Sequence, residues 1–160
     1  RRKLRRLRCF TGRRRSGSDL SPMTTVEIRN VSETSLAVGS SGPRTLTIDR
    51  TQESGGQGQG FNGGELLLLA IGGCYSNDVF REAAKRGIPV KNVHVRVSAD
   101  WAGDPVRAQN VSFTVEVEAD STEVEISELI RHTDRVAEIP NSLRLGTDVK
   151  LASFKAIASR

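Results

Sequence analysis

The stretch that most constrains the fold is residues 63–86, GGELLLLAIGGCYSNDVFREAAKR, the one long helical pattern in the chain. Leu66, Leu67, Leu69, Ile71, Cys74, Val79, Phe80 and Ala83 supply an apolar surface too wide for a single amphipathic stripe. Only the last two turns, with Asn77, Asp78, Arg81, Glu82, Lys85 and Arg86, carry a polar face. A helix apolar almost all round in its first half is expected to be central and buried. Gly72 and Gly73 each cost roughly 1 kcal/mol in a helix interior, so close approach of another backbone beside Cys74 is their expected purpose. Gly87-Ile88-Pro89 ends the helix in the usual order, glycine first and proline beyond.

The flanking segments read as strands and one further helix. Residues 25–31 and 35–38 are short strand patterns joined by a polar turn. A second turn at 39–43 leads to a strand over Thr45–Asp49, which completes an antiparallel N-terminal meander. Residues 51–62, TQESGGQGQGFN, form a Gly/Gln-rich loop too flexible to be core, either a linker or the rim of a site. After the helix, Val93, Val95 and Val97 alternate with His94, Arg96 and Ser98, and Val111, Phe113, Val115 and Val117 alternate with polar residues. The Ala-Gly-Asp-Pro turn at 102–105 joins these as a hairpin. A helix over 123–138, capped by Ser121 or Thr122 and closed by Pro140, precedes a final strand at Asp148–Ala156. Strands grouped in antiparallel sets with helices between the groups predict an α+β fold. So few strands cannot cover the central helix, and a homodimer with the central helices buried between the sheets is expected.

Charge divides the chain. Of its 24 basic and 19 acidic residues, nine basic and one acidic fall in 1–22, leaving 15 basic and 18 acidic residues for the rest. Residues 1–22 are therefore expected to be a basic, disordered extension preceding a natural start at Met23, with one domain over 23–160. That domain is mildly acidic, and nucleic-acid binding is not expected of it. No run approaches the ~20 apolar residues of a membrane span. Cys9 and Cys74 make no disulfide framework, so a reducing, cytoplasmic setting is expected. His94 and His132 have no ligand spacing between them, and neither metal nor cofactor is called for.

The run Gly64-Glu65-Leu66-Leu67-Leu68-Leu69-Ala70-Ile71-Gly72-Gly73-Cys74, behind a Gly-rich loop and a meander, resembles the OsmC/Ohr family. The strand VKNVHVRVSADW and the helix ending in AEIPNSL fit the same resemblance, which extends over essentially all of 23–160. The resemblance implies an intertwined α+β homodimer with two equivalent sites at the subunit interface. It also implies a reactive cysteine on the central helix that reduces hydroperoxides, assisted by a Glu, an Arg and a resolving cysteine. Cys74 falls on the reactive position. The resolving cysteine precedes a proline in the family, where this chain has Ile139-Pro140; an external thiol reductant would take its place. The family's Glu stands ten positions before the cysteine, where this chain has Gly64, with Glu65 one residue later. Arg29 is the candidate for the family's Arg, and Arg44 the next.

In the implied chemistry a thiolate attacks the outer oxygen of a hydroperoxide, giving an alcohol and a cysteine sulfenic acid that a second thiol clears. The sulfur needs a lowered pKa, for which a nearby cation serves and burial does not. Cys74, Arg29 and Glu65 are thus the candidate catalytic residues, and Tyr75, Leu67, Ile71 and Ile139 the candidate substrate-binding walls. Two functions follow. One is a one-cysteine thiol peroxidase acting on organic hydroperoxides. The other is a non-catalytic relative that binds an apolar small molecule at the dimer interface and keeps Cys74 for packing.

Overall fold

The computed structural model describes residues 23–158; the expected extension at 1–22 lies outside them. Strands β1 (Glu27–Asn30), β2 (Ala37–Ser41) and β3 (Arg44–Ile48) form the meander, antiparallel throughout, with Ile28 opposite Gly39 and Gly39 opposite Leu46. The β2–β3 loop is the two residues Gly42-Pro43, and Gly42 takes φ 56, which a short hairpin loop demands at its first position. The loop that follows is not the flexible tract its composition suggests. Asp49 is buried beneath it and accepts backbone N–H bonds from Arg50 (2.8 Å), Gln57 (2.9 Å) and Gln59 (3.1 Å). Burial pushes the Asp49 carboxyl up, but these three donors and Ser35 outweigh it and hold the group below its usual range.

Helix α1 (Gly63–Arg86) is the expected central helix. Its start is fixed by a reciprocal cap: Asn62 accepts from the Glu65 N–H at 3.0 Å, and Glu65 accepts from the Asn62 N–H at 2.8 Å. Its end is fixed by Gly87 at φ 66. Ile71, Tyr75, Asp78, Val79, Glu82 and Ala83 line its buried stripe. Strands β4 (Val90–Ala102) and β5 (Arg107–Ala119) form a separate antiparallel hairpin, with Val93 opposite Val117, Val95 opposite Val115 and Val97 opposite Phe113. Those pairs pack on α1, and helix α2 (Glu123–Val136) closes the core with Leu129 and Thr133 fully buried. A second reciprocal cap, Thr122 with Glu125, starts α2.

Three expectations change. The helix over 123–138 divides at Ala137, whose ψ of 119° leaves the helical region, and a short α3 (Glu138–Arg144) follows. Pro140 lies in the first turn of α3 and does not close the preceding helix; a first-turn residue needs no N–H partner, so proline is tolerated there. The strand expected at 148–156 is absent from the described chain, because no sheet edge of the same chain pairs with it. Val149 and Leu151 there are 96% and 83% exposed. Finally, a Cβ at Gly72 would lie 3.1 Å from the Val97 side chain, while one at Gly73 would meet nothing within 4 Å. Gly72 thus admits a β4 side chain and not a backbone, and Gly73 borders open space. The first half of α1 is only partly covered by its own chain, with Leu69 52% exposed.

Candidate functional site

Cys74 sits midway along α1 on the stripe Leu67, Ile71, Cys74, Asp78, whose spacing places all four on one helix face. It is half-buried, and among the described residues it is the free cysteine. Its Sγ donates to Asp78 Oδ2 at 3.5 Å, one turn on, and Glu138 Oε2 from α3 lies 3.9 Å away. Arg81 Nη1 spans the two carboxylates, 2.8 Å from Asp78 Oδ1 and 2.8 Å from Glu138 Oε1, and Arg81 Nε holds Glu82 at 3.0 Å. Glu82 in turn binds Lys85 at 2.7 Å and faces His132 of α2 at 3.2 Å. The ion network therefore runs from the thiol along the lower half of α1.

The electrostatics follow from this arrangement. Burial pushes the Cys74 thiol above its ordinary value, and the charges of Asp78 and Glu138 add to the rise, while the Ile139 backbone N–H works against it. Asp78 is likewise raised, first by burial and then by the neighbouring Glu138, with Arg81 opposing. Glu138 is lowered by a backbone N–H and by Arg81. The sulfur and one oxygen of each carboxylate lie within 4.8 Å of one another. Because the Arg81 guanidinium already occupies both carboxylates, the cluster is an ion-pair network and not a set of free ligands.

A largely apolar cleft of about 330 Å³ adjoins this site, lined by Leu67 and Ile71 of α1, Phe113 of β5, and Pro140, Leu143 and the charged Arg144 of α3. It lies one turn from Cys74 along the stripe. Of the residues expected from the sequence, Leu67 and Ile71 line the cleft, and Ile139 lies beside Cys74 through its backbone N–H. Tyr75 does not face the site. It is 1% exposed in the core, donates its hydroxyl to the Ile130 carbonyl at 2.8 Å, packs against Phe113 at 4.9 Å, and has its pKa pushed up to about 12 by burial.

Within one chain, the expected polar helpers are elsewhere. Arg29 is exposed on β1 and pairs with Glu27 at 3.1 Å. Arg44 bonds the Ser41 carbonyl at the β2–β3 turn. Glu65 is spent on the α1 cap, nine residues before Cys74. At Gly64, a Cβ would fall 2.7 Å from Cζ2 of Trp101, so that indole fills the space a side chain at 64 would need. Sequence reasoning missed Asp78, Arg81 and Glu138 as neighbours of the thiol. The spacings from 74 to 78 and from 74 to 81 were available signals for the first two, since both recur on one helix face. Glu138 had no local signal, being 64 residues away.

Comparisons with known proteins agree with this architecture. The family described as OsmC-like protein matches residues 56–152. An OsmC-like protein from Mycoplasma pneumoniae is similar in structure, with a TM-score of 0.67 and 18% identity over 78% of this chain and 89% of that one. The organic hydroperoxide resistance protein OhrB of Bacillus subtilis has a TM-score of 0.55 and 17% identity over 80% and 95%. An organic hydroperoxide resistance protein OsmC from Legionella pneumophila has a TM-score of 0.53 and 17% identity over 76% and 89%. Among curated proteins none matches. At these identities the structures establish the fold, and the family match extends over more than half of the sequence. The chain belongs to the OsmC-like protein family.

Proposed function

We propose that the protein is a one-cysteine thiol peroxidase that reduces organic hydroperoxides at Cys74. The observation that carries this proposal is the position of the thiol at one end of the Leu67–Ile71 stripe, beside an apolar cleft. An organic hydroperoxide has an apolar body suited to such a cleft and a polar O–O end for the sulfur. Family membership and the names of two structurally similar proteins support the same chemistry. The sulfenic acid would be cleared by an external thiol, since position 139 is Ile. The working unit in this proposal is a homodimer, which would cover the exposed face of α1 and is the means by which Arg29 of one chain would approach Cys74 of another. No described helix is long and apolar enough to cross a membrane, and we place the protein in the cytoplasm, where reducing thiols are available.

One observation favours a second function. The Cys74 sulfur lies against two carboxylates, 3.5 Å from Asp78 Oδ2 and 3.9 Å from Glu138 Oε2, and burial with these charges pushes the thiol up, which suits a relative that keeps the cleft for an apolar small molecule without turnover. The two functions separate in one experiment. Full-length protein carrying Cys9→Ser is treated with one equivalent of cumene hydroperoxide, and its intact mass is recorded within a minute. Hydrogen peroxide, denatured protein and Cys74→Ser serve as controls. Addition of a single oxygen at Cys74, faster for the organic peroxide and faster folded than denatured, is expected. A rate no greater than that of the denatured thiol refutes the peroxidase and leaves the binding protein.

A further inference from the structure

We propose that Asp78 is a catalytic acid–base residue of this site, relaying the thiol proton to the leaving alkoxide, with Arg81 and Glu138 as its positioning residues. The inference rests on the peroxidase function proposed above and assigns the proton path within it. Asp78 is 4% exposed, and its two oxygens have different partners. Oδ1 is held by Arg81 at 2.8 Å, which turns Oδ2 toward Cys74 Sγ at 3.5 Å. Arg81 is itself fixed from the other side by Glu138 of α3 and by Glu82 of α1. A buried carboxylate locked by a guanidinium at one oxygen, with the other oxygen on a thiol, has the geometry of a general base.

The step balances without a further group. Asp78 Oδ2 accepts the thiol proton as the Cys74 sulfur bonds to the terminal oxygen of ROOH and the O–O bond breaks. The departing RO⁻ takes that proton from Asp78. Sulfur is oxidised by two electrons to the sulfenic acid, and the peroxide is reduced by two to ROH. This path explains how a thiol flanked by two carboxylates, with Arg81 already paired to both, can still react: Asp78, whose charge adds to the rise that burial causes, also removes the thiol proton. Burial and Glu138 raise the Asp78 carboxyl above its ordinary value, with Arg81 opposing. The charged and titratable groups around Asp78 are Cys74, Arg81 and Glu82 on α1 and Glu138 on α3, with His132 of α2 reaching the network through Glu82.

The test compares two reactions of Cys74 in full-length protein carrying Cys9→Ser: alkylation by iodoacetamide, which reads the thiolate fraction, and oxidation by cumene hydroperoxide, which reads catalysis. In Asp78→Asn the raising charge is gone, so alkylation at neutral pH should quicken several-fold while peroxide oxidation slows by about a hundredfold, the usual worth of a positioned base. Asp78→Glu should recover part of the oxidation rate. A rise in both rates overturns the relay and leaves the peroxidase standing, since Asp78 would then only suppress the thiol. Wild-type oxidation no faster than that of denatured protein overturns both, and the denatured control identifies that case. Should Asp78→Asn fail to fold, Glu138→Gln at the surface decides. Losing the Glu138–Arg81 pair should loosen the hold of Arg81 on Asp78 Oδ1 and slow peroxide oxidation several-fold without slowing alkylation, and an oxidation rate that rises together with alkylation refutes the relay.

Discussion

Gly64, in the first turn of α1, lies against the indole of Trp101 near the end of β4: a Cβ on Gly64 would sit 2.7 Å from Trp101 Cζ2. The position ten residues before Cys74, which carries Glu in the family this chain resembles, is therefore filled here by an aromatic ring from another element. The two residues form one steric unit. A side chain at 64 and the present Trp101 rotamer exclude each other.

That exclusion is measurable as a coupling. Gly64→Ala gains up to ~1 kcal/mol of helix propensity, but overpacking against the ring costs about 1–3 kcal/mol, so a net loss of stability is expected. In the Trp101→Ala background the clash is gone, and Gly64→Ala should be neutral or stabilising. Urea midpoints of the two single variants and the double variant supply the cycle. Strict additivity would show that the ring moves aside at no cost.

Glu82 is the centre of the network below Cys74. Lys85 first, then Arg81 and His132, hold its carboxyl at about 2 against a usual 4.5. A depressed carboxyl contributes stability that is fully present above its unfolded value. That contribution is lost as pH falls from about 4.5 toward about 2. Acid unfolding followed by circular dichroism should therefore differ between wild type and Glu82→Gln. Wild-type stability should fall more steeply across that interval, and the two curves should converge at its acid end. Parallel curves would mean that Glu82 keeps its partners when unfolded.

The homodimer proposed above would cover the upper half of α1 and make Leu69 a sensitive position, since it is 52% exposed in one chain and lies beside Gly72, Gly73, Val93 and Val95. Leu69→Asp would put a charge into that apolar contact, and a more than tenfold rise in the dissociation constant is expected. Sedimentation equilibrium at several concentrations reads it. An unchanged mass distribution would refute a dimer contact at this face.

Position 139 supplies a direct probe of the thiol's surroundings. The Ile139 backbone N–H lies at Cys74, and residue 139 is where the resembled family has its second cysteine. Ile139→Cys, in the Cys9→Ser background, is expected to form an intramolecular disulfide with Cys74 after one equivalent of peroxide, seen as a loss of two hydrogens by intact mass. Persistence of the sulfenic acid, detected by dimedone, would mean that the α3 geometry keeps the two sulfurs apart.

The alternation of Val93, Val95 and Val97 against Val115, Val117 and Phe113 was enough to pair β4 with β5, because side-chain period fixes strand faces locally. Asn62, Glu65 and Gly87 likewise bound α1 by contacts within one or two turns, and Thr122 with Glu125 starts α2 in the same way. The meander and the central helix were legible for that reason, while the candidacy of Cys74 came from the family resemblance. A strand at 148–156 was not decided by its pattern, since a ladder needs an edge to join and residues 148–156 form no ladder within the described chain. Nor was the break at Ala137 signalled, because α3 is held by its contacts with α1 and not by its own propensity.

Local sequence thus determined the meander, the β4–β5 hairpin and the bounds of α1, and that a thiol sits mid-helix. Tertiary structure alone decided the character of that thiol. Docking α3 onto α1 brings Glu138 beside Asp78 and locks Arg81 between them, and the hairpin end sets Trp101 over Gly64. The physical reason is one of range: propensity and capping act over a few residues, whereas burial and charge at a side chain are summed over every element packed around it.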